Sequence, residues 1–183
     1  GENAFLEWAR DKKAVREWQK GINLAQILGP RPNCRAQSRR ERGVGILTQI
    51  RDVFPEEVAK SAAELVAALP ETQFLTLEGS GDPDSPAPDG IKAAHRFGAA
   101  MNLEENEGVQ ELFRILSGLI APGPTRHSAF HIGRYEEGDH MAEQDDAAYA
   151  LVANSEGEAV KCSRDIALMF FLSKGWRVEQ GGV

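Results

Sequence analysis

The carboxyl-terminal third of the chain constrains the fold most, because it holds two strand-like runs that end in acidic or glycine residues. The first run passes through Tyr135 and ends in a pair of aspartates at positions 145 and 146. The second is apolar from Ile166 to Leu172 and precedes the pair Gly181-Gly182. Apolar runs of this length, bounded by turn-forming residues, are typical of strands. This part of the chain therefore predicts a β-sheet core.

The order of these residues resembles the iron(II)/2-oxoglutarate oxygenases of the prolyl-4-hydroxylase-like branch. In that family a Tyr-x-x-Gly strand leads to a His-x-Asp metal pair, as Tyr135 leads here to Gln144 and Asp146. A later strand begins at an arginine and runs through a tryptophan into Gly-Gly, as the chain does from Arg164 through Trp176. The resemblance covers residues 44–183 and is strongest from 134 onward.

The resemblance implies an α+β fold, in which helices buttress a double-stranded β-helix, or jelly roll. Only the first strands of that core would lie in this chain. The second histidine ligand and the basic residue that anchors 2-oxoglutarate are expected beyond Val183. We therefore divide the chain into a helical extension with an arginine-rich linker at 1–42 and the amino-terminal part of an oxygenase domain at 43–183.

The implied metal site uses two imidazoles and one carboxylate on one face of the iron. Residues i and i+2 of a strand point to the same side, so Gln144 and Asp146 keep the geometry of the metal pair. Asp146 can bind Fe(II), whereas the neutral amide of Gln144 is a poorer ligand than imidazole. The sequence leaves open whether Gln144 is native or engineered. His140 is the rival ligand, but we interpret it as an ordinary polar residue.

The implied 2-oxoglutarate pocket contains Tyr135, Met169 and Phe171. The tyrosine hydroxyl can bond a carboxylate or a substrate group, and the alternative is a buried core tyrosine. Members of the family often have a tyrosine at the position of Phe171, and phenylalanine cannot replace its hydrogen bond. Arg164 is a candidate substrate contact, with a simple surface arginine as the alternative.

Apolar residues at three- and four-residue steps predict helices near 3–28, 54–69 and 105–120. Asp52 is a plausible cap for the second of these helices, and Pro55 stands near its first turn. Strands or extended stretches are expected at 44–50, 72–77, 126–135, 147–153 and 165–172. The glycine- and proline-rich stretch 78–90 is expected to be a loop.

Composition narrows the possible partners and compartments. The chain has 183 residues and a net charge of −7, which argues against a nucleic-acid surface over the whole domain. Residues 31–42 hold five arginines and one acid, and we interpret them as a solvated linker rather than a nucleic-acid or targeting patch. No apolar run approaches the roughly 20 residues that span a membrane. Cys34 and Cys162 are expected to be reduced thiols of an intracellular, cytoplasmic or nuclear protein, with a single bridge as the alternative.

The function implied by the resemblance is hydroxylation of a protein side chain, with proline as the expected target, coupled to conversion of 2-oxoglutarate to succinate. The partner would be a protein or peptide substrate. With Gln144 at the metal pair, this chain is expected to bind iron weakly and not to turn over 2-oxoglutarate. Two alternatives stay open: a catalytically silent oxygenase-like binding module, and an interaction module built on the first helix and the arginine-rich linker. Phosphate-loop, dinucleotide-binding, nucleophile-elbow and zinc-ligand motifs are missing from the sequence.

Overall fold

The computed structural model describes residues 3–22, 52–81, 91, 93–120, 130–142, 149–153, 156–163 and 167–173. The chain begins with helices α1 (Ala4–Arg10) and α2 (Lys12–Ile22). The single helix predicted for this region breaks at Asp11, whose backbone angles, φ −76° and ψ 88°, are not helical. Asp11 Oδ1 accepts the backbone N–H groups of Lys13 and Ala14, so it caps α2. The break follows from this competing local hydrogen bonding.

Two further helices confirm the predictions near 54–69 and 105–120. They are α3 (Glu56–Ala67) and α4 (Glu107–Ile120). The expected cap of α3 is wrong, because Pro55 occupies the cap position without a side-chain hydrogen bond. Asp52 instead adopts a positive φ of 51° outside the helix. Within the described residues, no helix combines the length and apolar character needed to cross a membrane.

The four helices share one hydrophobic core. Phe5 and Ala9 of α1 and Val15 of α2 are buried in it with residues of α3 and α4, namely Val58, Ala62, Leu112, Ile115 and Leu116. The helical extension therefore packs on the rest of the protein through its own apolar face. The predicted boundary at residues 42 and 43 lies outside the described residues and stays a prediction.

An antiparallel sheet follows α3 along the chain. Strand β1 (Phe74–Ser80) pairs with β2 (Ala94–Ala100) over seven residue pairs, from Phe74 opposite Ala100 to Ser80 opposite Ala94. Two short strands, β3 (Gly133–Arg134) and β4 (His140–Met141), both pair with β2 in antiparallel fashion. The extended stretch predicted at 72–77 is confirmed from Phe74 onward as part of β1, whereas its first two residues belong to a short 3-10 turn, Glu71–Gln73. Strand β2 was not predicted from the sequence.

The carboxyl-terminal strands differ from the prediction. A hairpin joins β5 (Tyr149–Ala153) and β6 (Ala159–Ser163), and only the first of these was expected. Residues 167–173 have no regular secondary structure, so the strand predicted at 165–172 is wrong for the part that the structure describes. Only Gly133–Arg134 of the strand predicted at 126–135 is present among the described residues. The strand predicted at 44–50 and residues 82–90 of the predicted loop lie outside the described residues, whereas residues 78–80 belong to β1, so the loop prediction is wrong there.

The two faces of the sheet have different environments. Phe74, Ala100 and Ile132 pack against a cluster that includes Val109 of α4 and Leu69 just after α3. We call this side the helix face. Because side chains alternate along a strand, the opposite side carries Leu75 and Phe97, with Tyr135 stacked on Phe97. We call that side the tyrosine face. The fold is therefore α+β with an open antiparallel sheet in the part that the structure describes.

Candidate functional site

A five-residue loop interrupts the strand that pairs with β2. Gly98 lies opposite Arg134, and Arg96 lies opposite His140. Phe97 is thus the single β2 residue facing the five residues Tyr135–Asp139, which we call the bulge loop. The extra residues cannot join the ladder and must leave the plane of the sheet, as in an enlarged β-bulge. The bulge loop begins at the predicted pocket tyrosine.

Asp139 holds the bulge loop closed. Its Oδ2 accepts the Glu136 backbone N–H at 2.9 Å, and its Oδ1 accepts a hydrogen bond from Arg96 Nη1 at 2.7 Å. The Asp139 side chain is only 8% exposed, whereas that of Arg96 is 45% exposed. Gly138 turns the chain with a positive φ of 89°, a conformation that favours glycine. One carboxylate therefore joins the loop to itself and to the neighbouring strand.

Tyr135 lies on the tyrosine face with its ring half-exposed. The ring stacks on Phe97 with the centroids 5.3 Å apart and the planes 16° apart, and Phe97 itself is buried. A Cβ at Gly133 would lie in ordinary van der Waals contact with the Tyr135 ring, 3.4 Å from a ring carbon. Burial, and then the charge of Asp139, raise the pKa of the Tyr135 hydroxyl above 10.0. The hydroxyl stays protonated at neutral pH and can donate to an anionic group.

Arg134 belongs to the other side of the sheet. Its guanidinium makes two hydrogen bonds to the Glu71 carboxylate, at 2.6 and 2.8 Å, and lies 4.2 Å above the Phe74 ring. The hydrogen bonds from Arg134 lower the pKa of Glu71, a shift that burial opposes. The Arg134 guanidinium therefore links β3 to Glu71, just before β1, and lies on the opposite side of the sheet from Tyr135.

Met169 and Phe171 are exposed, at 68% and 72%. Their neighbours Phe170 and Leu172 pack against the helical core, and the Phe170 ring lies 5.3 Å from that of Phe54. From Met169 to Leu172, alternate side chains are therefore exposed and packed, although the predicted strand is not present. Convergence of Met169 and Phe171 with Tyr135 on one cavity stays a prediction.

The residues predicted to contact metal and substrate, Gln144, Asp146 and Arg164, lie outside the described residues. Within the part that the structure describes, no group of three or more histidine, cysteine or acidic side chains lies together as a metal site. His140 pairs with Arg96, so alternation directs its side chain away from the face that carries Phe97. This placement favours our interpretation of His140 as an ordinary polar residue.

An open groove of about 460 Å³ lies elsewhere, between α4 and Phe130. Phe113 stacks on Phe130 at its wall, with the ring centroids 5.3 Å apart. Arg114 also lines the groove, but its guanidinium is held by Glu111 through hydrogen bonds of 2.6 and 2.7 Å. Of the predicted site residues that the structure describes, neither Tyr135 nor Met169 nor Phe171 lines this groove.

Sequence reasoning missed Arg96, Phe97 and Asp139. A signal for Asp139 was present, because aspartate after glycine often closes a turn by accepting a nearby backbone N–H. No local signal exists for Arg96, whose partner is 43 residues away along the chain. Comparison with known proteins finds no matching family model, no matching curated protein and no matching solved structure.

Proposed function

We propose that this chain forms part of the core of an iron(II)/2-oxoglutarate-dependent oxygenase that hydroxylates a protein side chain, with proline as the expected target. The observation that carries the proposal is the position of Tyr135 on a sheet whose opposite face packs on helices. A jelly-roll oxygenase requires this division, because its helices lie outside the barrel and its pocket lies inside. The tyrosine face would line the pocket.

The chemistry of Tyr135 supports a role in holding 2-oxoglutarate. Its hydroxyl is a neutral donor at neutral pH, as an ordinary tyrosine hydroxyl is, and burial and the charge of Asp139 raise its pKa further. A carboxylate of the cosubstrate would accept that proton in a hydrogen bond strengthened by its charge. The Tyr135 ring is half-exposed, and its stacking on Phe97 restricts its position.

The exposed side of residues 167–173 supports an apolar wall for the same pocket. Met169 and Phe171 expose large apolar side chains, which is costly unless another surface or ligand covers them. The alternate residues Phe170 and Leu172 anchor the segment on the helical core. Met169 and Phe171 would therefore contact the cosubstrate, and Arg164 would contact the protein or peptide substrate.

Gln144 and Asp146 would hold the metal. When bound together, iron(II) and 2-oxoglutarate supply the activation of dioxygen that hydroxylation requires. Loss of a group that hydrogen-bonds a metal ligand costs on the order of 10–100-fold in metal affinity. Replacing a histidine ligand itself by glutamine should therefore lower metal affinity by at least that factor. We therefore expect weak iron binding and no succinate release from this chain.

Gln144 also favours a second candidate function, a catalytically silent oxygenase-like module that binds 2-oxoglutarate or a peptide without turnover. The two candidate functions differ in whether metal affinity rises when the histidine ligand is restored. In a silent module, Gln144→His would leave metal affinity low, because the rest of the site would no longer fit a metal ion.

A titration with Mn(II), a paramagnetic substitute for iron(II), tests the proposal in a longer chain that carries the second histidine and the basic residue expected beyond Val183. Broadening of the Tyr135 ring signals in NMR spectra measures metal binding near the pocket. Gln144→His should raise Mn(II) affinity by about 10-fold or more, since it restores an imidazole ligand. Adding Asp146→Ala to that variant should abolish the gain, because it removes the carboxylate ligand.

His140→Ala in the Gln144→His background is the matched control, and it should leave Mn(II) affinity unchanged. If Gln144→His has no effect and His140→Ala removes binding, then Gln144 is not at the ligand position and the proposed site is wrong. If no variant broadens the Tyr135 signals, the oxygenase proposal fails.

A further inference from the structure

We infer that Arg96 and Asp139 are positioning residues that fix the Tyr135 ring on Phe97 and so aim its hydroxyl into the pocket. The inference deepens the proposed function, on which its ligand-binding consequence rests. Its structural basis is the bulge loop, whose geometry does not depend on the identity of the ligand.

The first step concerns the peptide group that follows Tyr135. The N–H of Glu136 belongs to the peptide that joins Tyr135 to Glu136, and this N–H donates to Asp139 Oδ2 at 2.9 Å. Because a peptide group is planar, holding its N–H direction holds the backbone rotation that follows the Tyr135 Cα. The carboxylate of Asp139 therefore acts directly on the backbone of Tyr135.

The second step concerns the anchor of Asp139. Its other oxygen, Oδ1, accepts from Arg96 Nη1 at 2.7 Å, and Arg96 immediately precedes Phe97 on β2. Consecutive residues of one strand thus hold both parts of the bulge loop. Arg96 holds the carboxyl end of the bulge loop through Asp139, and Phe97 stacks on Tyr135, the first residue of the loop. Strand β2 is paired on both edges, so its pairing fixes the positions of Arg96 and Phe97.

The third step compares this ion pair with the other charged contacts of Arg96. Glu78 Oε2 lies 4.0 Å from Arg96 Nε, and the Glu78 side chain is 70% exposed. The Asp139 carboxylate is closer and nearly buried, so its contact with Arg96 is less screened by solvent. Asp139 is therefore the partner that orients Arg96, and the loss of either residue should loosen the bulge loop, which keeps the backbone bond from Asp139 N–H to the Glu136 carbonyl oxygen.

The test follows the Tyr135 ring by NMR in the full chain. Stacking on Phe97 places the Tyr135 ring protons in the ring current of a neighbouring aromatic, which moves their signals. Tyr149→Phe removes the second of two tyrosines and so assigns the Tyr135 signals. Arg96→Met and Asp139→Ala should each remove at least half of the shift while the protein stays folded. Arg96→Lys should retain most of it, because a lysine can still pair with Asp139.

Two comparisons separate positioning from a general loss of structure. Combining Arg96→Met with Asp139→Ala should change the shift no more than Asp139→Ala alone, because Arg96 acts on the bulge loop through Asp139. Arg114→Met is the control. It removes an exposed arginine of α4 that is also paired with a carboxylate, that of Glu111, and it should leave the Tyr135 shift unchanged. If Asp139→Ala does not fold, Asp139→Asn takes its place, and it should lose part of the shift because its single amide oxygen can accept only one of the two hydrogen bonds.

Unchanged Tyr135 signals in folded Arg96→Met and Asp139 variants would overturn the inference. The ligand arm uses 2-oxoglutarate with Mn(II) in the Gln144→His background of the longer chain that carries the basic residue expected beyond Val183. There Asp139→Ala and Tyr135→Phe should each weaken 2-oxoglutarate binding about fivefold, the worth of one hydrogen bond. If the ring moves but 2-oxoglutarate does not bind even before Asp139 is changed, then the proposed function fails and the positioning role stands.

Discussion

At the scale of single residues, one close approach shapes the sheet. Gly79 of β1 lies opposite His95 of β2, and His95 is buried. The His95 Nδ1 lies 2.7 Å from the carbonyl oxygen of Ala93, so Nδ1 carries the proton and donates it. The imidazole therefore lies over Gly79, where a Cβ would overlap its Cε1 and lie 3.0 Å from Nδ1. The absence of a side chain at Gly79 makes room for the ring.

Replacement of Gly79 tests this packing. Gly79→Ala should lower the free energy of unfolding by about 2 kcal/mol, because a buried ring held by a hydrogen bond cannot move away without strain. Gly98→Ala is the matched control on β2, since its nearest neighbour to a new Cβ is the Arg134 carbonyl oxygen at 3.5 Å. It should change stability by no more than about 0.5 kcal/mol. Equal losses in urea unfolding of the two variants would contradict the packing argument.

At the scale of elements, side-chain caps decide where the first two helices begin. Asn3 Oδ1 accepts the backbone N–H groups of Phe5 and Leu6 at 3.0 and 3.3 Å. Its Nδ2 also donates to the Ser61 carbonyl oxygen of α3 at 3.1 Å. Asn3 therefore begins α1 and fastens it to α3. Asp11 makes the same kind of cap for α2, but its contacts stay within its own turn.

The two caps should contribute differently to stability. Asn3→Ala should cost about 2 kcal/mol, because it removes both a cap and a bond between helices. Asp11→Ala should cost less than about 1 kcal/mol, since it loses only a cap and replaces a helix-breaking residue with alanine. Far-ultraviolet circular dichroism in urea measures both values. A larger loss for Asp11→Ala than for Asn3→Ala would rule out the link between α1 and α3 as a stabilising contact.

At the scale of the whole molecule, an aromatic cluster joins segments that are far apart in the sequence. The Phe54 ring stacks on Trp18 of α2 at 4.8 Å and meets Phe170 edge-on at 5.3 Å. Trp8 of α1 lies edge-on to both Trp18 and Phe54. The Trp18 indole N–H also donates to the Val53 carbonyl oxygen. The first helices, the start of α3 and the last described segment thus meet at Phe54.

Adjacent phenylalanines allow a direct test of this arrangement. Phe170→Ala should lower the free energy of unfolding by about 3 kcal/mol, because it removes a ring from the aromatic cluster. Phe171→Ala should change it by less than about 0.5 kcal/mol, since that side chain is 72% exposed. Urea unfolding followed by tryptophan fluorescence compares the two. If Phe171→Ala proved the more destabilising, the assignment of faces in this segment would be reversed.

The sequence alone determined the features that depend on neighbouring residues. Apolar residues at helical spacing lie within α3 and α4 themselves, so both helices were predicted within a few residues. The division of residues 167–173 into packed and exposed sides also follows from local alternation. The break at Asp11 also depends on neighbouring residues. The apolar residues keep their helical spacing across it, so the capping role of Asp11 was overlooked.

Tertiary structure decided what depends on distant pairing. The sequence of β2, Ala-His-Arg-Phe-Gly-Ala-Ala, has weak strand propensity, and it becomes a strand because β1 and β3 pair with both of its edges. The apolar run at 167–173 has strong strand propensity, yet it has no regular structure. The link from Arg96 to Asp139 spans 43 residues. Strand pairing and ion pairing join residues whose separation in the sequence carries no local signal, so only the folded chain brings Tyr135 and its supports together.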